Sequence, residues 1–234
     1  MIAAVLEHVI REMCAELHRS NVPLSWRTLD EDELLFEAAV CIVGSQLVYE
    51  MALAIVSRLR TRKLLDPDAL PNATWKRRVA LALETPITYI SNGHSHTSKP
   101  RFRNRIAYLL SATLSNVYGN NCSLREILSK AERAEDARRM LITRIFGFGP
   151  KQASLFLRRV GFSTDLAVID THILEYMRIC TGVFPKPAAL STIDSYERIE
   201  STFRVLAQRI GYEVGCVDLA TWITIRVAKR EAFV

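Results

Sequence analysis

Apolar residues return at the helical period along nearly the whole chain, and no stretch alternates apolar with polar residues over a length that would build a sheet. MIAAVLEHVIREMCAEL sets Ala4, Val5, His8, Val9 and Met13 on one stripe, and ELLFEAAVCIVGSQLVYEMALAIVSRL reads as two helices broken at Gly44 and Ser45. TWKRRVALAL, RFRNRIAYLLSATLSNV, AEDARRMLITRIF, PKQASLFLRRV, THILEYMRIC, SYERIESTFRVLAQRI and CVDLATWITIRVAKR continue the pattern. The joints between them include LDPDALPN, SNGHSHTSKP, YGNNCS, GFGP, GFSTD and VFPKPAALS, rich in turn-forming residues. An all-α fold is predicted, and 234 residues are enough for one sizeable core or for two lobes.

Composition narrows the function classes. The five cysteines, at positions 14, 41, 122, 180 and 216, are widely spread, so neither the close pairs of a zinc site nor the four-cysteine run of an iron–sulfur cluster is present. His94 and His96 have no third ligand nearby in sequence, and no metal site is predicted. The N-terminus lacks the flank and cleavage site of a signal peptide, and no apolar run approaches about 18 residues, so the expectation is a cytoplasmic protein without membrane contact.

Lys and Arg outnumber Asp and Glu by 31 to 25, a net charge of +6 that is compatible with a nucleic-acid partner without requiring one. The excess is uneven. SNGHSHTSKPRFRNRIAY carries Lys99, Arg101, Arg103 and Arg105 around the aromatic Phe102 with no acid among them. That pattern suits either a solvated loop and helix start or a segment facing phosphates and a base.

IFGFGPKQASLFLRRV, residues 145–160, has a specific physical reading. Gly147 and Gly149 permit a sharp turn and close backbone approach, and Pro150 suits the first turn of a helix. Ala153, Phe156, Leu157 and Val160 then form an apolar stripe that leaves Arg158 and Arg159 on the other face. The unit is helix, hairpin, helix. Its free N–H groups, along Gly147, Phe148 and Gly149 and then, past Pro150, in the first turn, form a positive dipole end that grips a phosphate without reading sequence, although an ordinary glycine turn has the same residues.

GFGPKQASLFLRRVG followed by LAVIDTHIL, with Asp170 placed 19 residues after Lys151, resembles the signature of the helix-hairpin-helix DNA glycosylase superfamily. RFRNRIAYL, KQASLFLRRVG and DLATWI are similar to elements of its type 2, archaeal-type 8-oxoguanine DNA glycosylases. The likeness runs from about Leu35 to Trp222 and thins toward both ends.

The resemblance implies a bifunctional glycosylase and AP lyase of base-excision repair, acting on double-stranded DNA as a monomer. Lys151 is implied as the nucleophile that forms a Schiff base, which requires a neutral amine. Asp170 is implied as the stabiliser of positive charge on the sugar, and as the residue before THILEYMR it is also a good helix cap. A target base must be flipped out of the duplex and held. Phe102 and Trp222 are the implied sandwich, Asp218 a polar contact to the base edge, and Gln46 the filler of the vacated gap. Packing in a helix stripe is an equal reading for Trp222, and a plain helix-end residue for Gln46. His172 reads as a side chain packed at a helix start. The resemblance implies no cofactor, apart from room for a monovalent cation at the hairpin carbonyls.

The fold it implies is two-lobed. Residues 1–37 and 166–234 make a discontinuous helical lobe, and residues 38–165 a central barrel ending in the helix-hairpin-helix at about 133–160, with the active site in the cleft between the lobes. One departure is clear. The archaeal-type enzymes end in a short element similar to TG-(I/V)-LK, whereas this chain ends ITIRVAKREAFV. The modified base removed therefore stays open between 8-oxoguanine and another lesion or a modified base such as those of phage DNA. A non-catalytic helix-hairpin-helix DNA-binding module, or a helical protein-interaction domain, stand as alternatives.

Overall fold

A computed structural model describes residues 2–20, 24–91, 93–119, 122–183 and 185–231. Two compact units are formed, Met1–Leu24 with Gly149–Val234, and Ser25–Phe148. These divisions differ from the sequence boundaries at 37/38 and 165/166. A helix runs unbroken from Glu31 to Gly44, and the helix at Pro150–Arg159 is bonded to the C-terminal helices through Arg158, which donates to the carbonyl of Gly215 at 3.3 Å.

The Ser25–Phe148 unit holds α2 (Glu31–Gly44), α3 (Tyr49–Thr61), α4 (Trp75–Ala82), β1 (Ile87–Ser91), β2 (His94–Ser98), α5 (Arg103–Tyr118), α6 (Leu124–Ser129) and α7 (Ala134–Arg144). Asp30 and Glu33 close a capping box at the start of α2, each side chain bonding the other's backbone N–H at 2.7–2.8 Å. Glu31 reaches across the unit to accept from Tyr118 Oη at 2.8 Å and from the first N–H groups of α6, Leu124 at 2.6 Å and Arg125 at 3.1 Å. A side chain from one helix thus caps another.

The two-stranded hairpin corrects the expectation of a loop at SNGHSHTSKP. β1 and β2 pair antiparallel, Ile87 opposite Ser98 and Ser91 opposite His94. Thr88 and Thr97 share a 2.9 Å hydroxyl bond, and the rings of Tyr89 and His96 stack at 5.5 Å. Every residue of β2 is exposed, so no buried face imposed an alternating pattern on the sequence. The fold class stays all-α around this small ribbon.

The discontinuous unit contains α1 (Ile2–Ser20), α8 (Pro150–Arg159), α9 (Thr171–Thr181), a 3-10 turn (Pro187–Leu190), α10 (Ile193–Ile210) and α11 (Val214–Glu231). Ile10, Cys14, Ile169, Ile173, Tyr176, Phe203, Val217 and Ala220 lie in its core. Of the stripe expected on α1, Met13 packs against the core while Ala4, Val5, His8 and Val9 are exposed; Leu6, Ile10, Cys14 and Leu17 face the core beside it. The N-terminal half of α1 is apolar on more than one side, so its sequence alone left two faces able to pack. Among the described residues, no helix is long and apolar enough to cross a membrane.

Candidate active site

Gly147 has φ +91°, in the region that favours glycine, and an added Cβ would meet Leu109 Cδ1 at 3.1 Å. Gly149 differs. Its φ of −108° is open to any residue, and a Cβ there would meet only Gln152 Oε1, at 3.9 Å. Within the chain, then, Gly147 is required for the turn, whereas Gly149 keeps a stretch of backbone bare. Phe148 is buried and its N–H bonds the carbonyl of Ile145 at 3.2 Å, closing the hairpin.

Pro150 is the first residue of α8 and Lys151 the second. The first intrahelical donor is Ala153, whose N–H bonds the Gly149 carbonyl at 3.0 Å, so the N–H groups of Lys151 and Gln152 have no acceptor within the helix. Ala153, Phe156, Leu157 and Val160 are buried as the stripe. That anchoring fixes the orientation of a half-buried Lys151 at the positive end of the helix.

Asp170 caps α9. Its Oδ1 accepts from the N–H groups of His172 at 2.8 Å and Ile173 at 3.1 Å, and its Oδ2 lies 3.2 Å from His172 Nδ1. The carboxylate is 14% exposed, shielded yet reachable. His172 in turn stands edge-on to the ring of Trp222 at 6.0 Å, and the guanidinium of Arg226 sits 4.6 Å above the other ring system of that contact, the indole itself. Trp222 is half-buried on α11.

Asp218, also on α11, is 2% exposed and ion-paired to Arg158 of α8. Burial pushes its carboxyl up to about 6; the Arg158 guanidinium opposes the rise, and the negative charge of Asp170 adds to it. The pairing ties the helix of Lys151 to the helix of Trp222. It also engages one oxygen of the carboxylate expected to meet a base edge.

The remaining candidates belong to the Ser25–Phe148 unit. Phe102 precedes α5 with φ 58°, an unusual conformation for an aromatic residue, and its side chain is 53% exposed. Arg101 and Arg105 are exposed, whereas Arg103 pairs with Glu84 at 3.9 Å. Gln46 is exposed in the turn between α2 and α3, its N–H bonded to Val43 at 3.3 Å. No group of three or more His, Cys, Asp or Glu among the described residues is placed to hold a metal ion.

A family model described as 8-oxoguanine DNA glycosylase, of the Ogg helix-hairpin-helix type, matches residues 93–212, just over half of the chain and inclusive of the hairpin, Lys151 and Asp170. The chain belongs to the 8-oxoguanine DNA glycosylase family.

Members similar to it include 8-oxoguanine DNA glycosylase/AP lyases from Metallosphaera sedula, 37% identical over 42% of this chain and 47% of that protein, and from Sulfolobus acidocaldarius, 38% identical over 51% and 55%. The chain thus matches about half the length of these curated relatives. Among solved structures, the 8-oxoguanine DNA glycosylase of Methanocaldococcus jannaschii superposes with a TM-score of 0.69 at 22% identity, covering 95% of this chain and 92% of that one. That of Thermotoga maritima gives 0.62 at 20%, covering 94% and 88%. The shared fold extends over nearly the full length, well beyond the segment where sequence similarity is detectable.

In this glycosylase-family chain the residues that hold the candidate site in shape carry no local sequence signal. Tyr196 and Glu200 on α10 bond the backbone of the segment that ends at Asp170, and Arg158 binds Asp218. All sit on helix stripes or faces where they read as ordinary core or solvent residues. Their partners are distant in sequence, and no local spacing marks them.

Proposed function

We propose that this chain is a DNA glycosylase with AP-lyase activity, acting in base-excision repair on double-stranded DNA that contains 8-oxoguanine. The observation that carries the reading is the pairing, within one compact unit, of a lysine in the first turn after the hairpin with a carboxylate held by the N-terminus of the next helix. Neither phosphate binding nor helix packing needs both. The curated relatives are named for this activity, and the M. jannaschii enzyme has been solved with a 15mer DNA containing 8-oxoguanine.

In this reading the Lys151 amine attacks C1′ of the target nucleotide. The bond from C1′ to the base breaks, and its electron pair leaves with the base, which takes up a proton. The sugar ring opens to a Schiff base on Lys151. Loss of a C2′ proton then expels the 3′ phosphate by β-elimination and nicks the strand. The Asp170 carboxylate stabilises the positive charge that builds on the sugar. None of these steps calls on a metal or other cofactor; the hairpin carbonyls offer a seat for a monovalent cation as part of the DNA grip.

Phe102 is assigned to hold the flipped base, because an exposed aromatic in a left-handed conformation is costly unless its placement serves something outside the chain. Trp222 is assigned to the base as well and Asp218 to its edge, Gln46 to the gap, and Arg101, Arg103 and Arg105 to phosphates. The protein acts as a monomer.

The test is single-turnover incubation with duplexes carrying 8-oxoguanine, a different modified base or plain guanine. Free 8-oxoguanine and a nicked strand are expected from the first duplex alone. Release of only the other base would replace the substrate and keep the chemistry. No release and no nick from any duplex would leave a DNA-binding module.

A further inference from the structure

Residues 166–169 approach Asp170 without regular secondary structure between two helices, and their backbone groups cannot all be satisfied by neighbours in sequence. Side chains from α10 do it instead. Tyr196 Oη donates to the carbonyl of Ala167 at 2.8 Å and accepts from the N–H of Ile169 at 2.8 Å. Glu200 Oε1 accepts from the N–H of Ala167, also at 2.8 Å. Tyr196, Ala167 and Ile169 are fully buried, and Glu200 nearly so.

A tyrosine hydroxyl has one proton and two lone pairs, so the Ala167 and Ile169 bonds use its donor and one acceptor position. One buried oxygen therefore clamps the segment that delivers the proposed charge stabiliser at two points, three residues and one residue before Asp170.

We infer that Tyr196 is a positioning residue for catalysis: its hydroxyl holds the segment that places the Asp170 carboxylate. The inference rests on the glycosylase and lyase reading of Lys151 and Asp170. Packing alone does not need the hydroxyl, since a phenylalanine ring would fill the same volume of core. The hydroxyl matters because its two bonds fix the backbone that leads into Asp170, where a small misplacement of reacting groups is expensive in rate.

The experiment is single-turnover base release on an 8-oxoguanine duplex by wild type, Tyr196→Phe and Glu200→Gln, with duplex affinity measured beside it. Amplitude reports the folded, competent fraction, and the rate constant reports geometry. Tyr196→Phe is expected to lower the rate constant by about 10-fold to 100-fold with affinity within about 2-fold. Glu200→Gln, which weakens only the bond to the Ala167 N–H and keeps the side chain's shape, is expected to lower it by about 3-fold or more. In an Asp170→Asn background, Tyr196→Phe is expected to add almost nothing, because it acts through that residue.

A reduced amplitude with an unchanged rate constant in both variants would overturn the inference, leaving a purely structural hydroxyl. So would full additivity with Asp170→Asn. If wild type itself releases no base and forms no trapped adduct on an abasic duplex, the parent reading fails and the inference with it, an outcome distinct from active wild type with indifferent variants.

Discussion

The Oδ2 atom of Asp170 lies 3.2 Å from Nδ1 of His172, while Oδ1 of the same carboxylate caps the helix on which His172 sits. Two duties are thus divided between two oxygens. One holds the backbone, and the other is steadied by an imidazole that leans on Trp222.

Asp170→Asn separates those duties. An asparagine caps a helix about as well as aspartate, so thermal stability should stay within about 0.5 kcal/mol of wild type. The charge is lost, and single-turnover base release should fall by about 100-fold to 1,000-fold. Asp170→Ala should lose a further ~1 kcal/mol of stability through the missing cap. Wild-type rates in the asparagine variant would remove Asp170 from the chemistry.

The two hairpin glycines should respond in opposite ways. Gly147→Ala forces a side chain into a positive-φ position and against Leu109, so thermal denaturation should show a loss of about 1–2 kcal/mol. Gly149→Ala meets neither obstacle and should fold as wild type. Its cost should appear in duplex affinity, where the added methyl keeps a phosphate from the bare backbone. Equal stability losses in both would contradict the division.

Phe102→Ala should be nearly neutral for folding, because the ring is 53% exposed and its backbone conformation is unfavourable. Base release from an 8-oxoguanine duplex should slow by about 10-fold or more, as expected for loss of a stacking contact worth about 1–3 kcal/mol. An abasic duplex, with no base to hold, should be cleaved at the wild-type rate. Equal slowing on both duplexes would place Phe102 on the DNA strand rather than on the base.

Asp218 should leave a mark on stability against pH. Its carboxyl is raised from 3.8 in the unfolded chain to about 6 by burial. Between those values the folded state keeps a proton that the unfolded chain has lost, so its contribution is fully present below about pH 4 and is lost as pH rises through about 6. Urea denaturation across this window should show wild type losing about 1–3 kcal/mol relative to Asp218→Asn. Parallel curves would mean that Arg158 holds the group ionised throughout.

The parts of the molecule that were legible in the sequence are those whose signal is local. The stripe Ala153, Phe156, Leu157 and Val160 has a single buried phase, and the break at Gly44 and Ser45 is marked by its residues. The capping box at Asp30 and Glu33 is an equally local signal. α1 was misphased because apolar residues line more than one of its sides, and only its packing selects Ile10 and Cys14. The β1–β2 ribbon buries Ile87 and part of Tyr89 on one strand only, and β2 is exposed throughout, too short a signal to write a sheet into the sequence. Tyr196 and Glu200 carry no local signal for a different reason: their significance lies in backbone atoms far along the chain, and a tyrosine in a helix stripe looks the same whether or not its hydroxyl is used.

Everything in the proposed chemistry turns on Lys151 as the nucleophile. The most direct measurement is borohydride trapping on an abasic duplex and on an 8-oxoguanine duplex, followed by peptide mapping of the reduced adduct. A covalent adduct on both duplexes, mapped to Lys151 and absent in Lys151→Gln, is the predicted result. An adduct that maps to another residue, or that persists in Lys151→Gln, would contradict it.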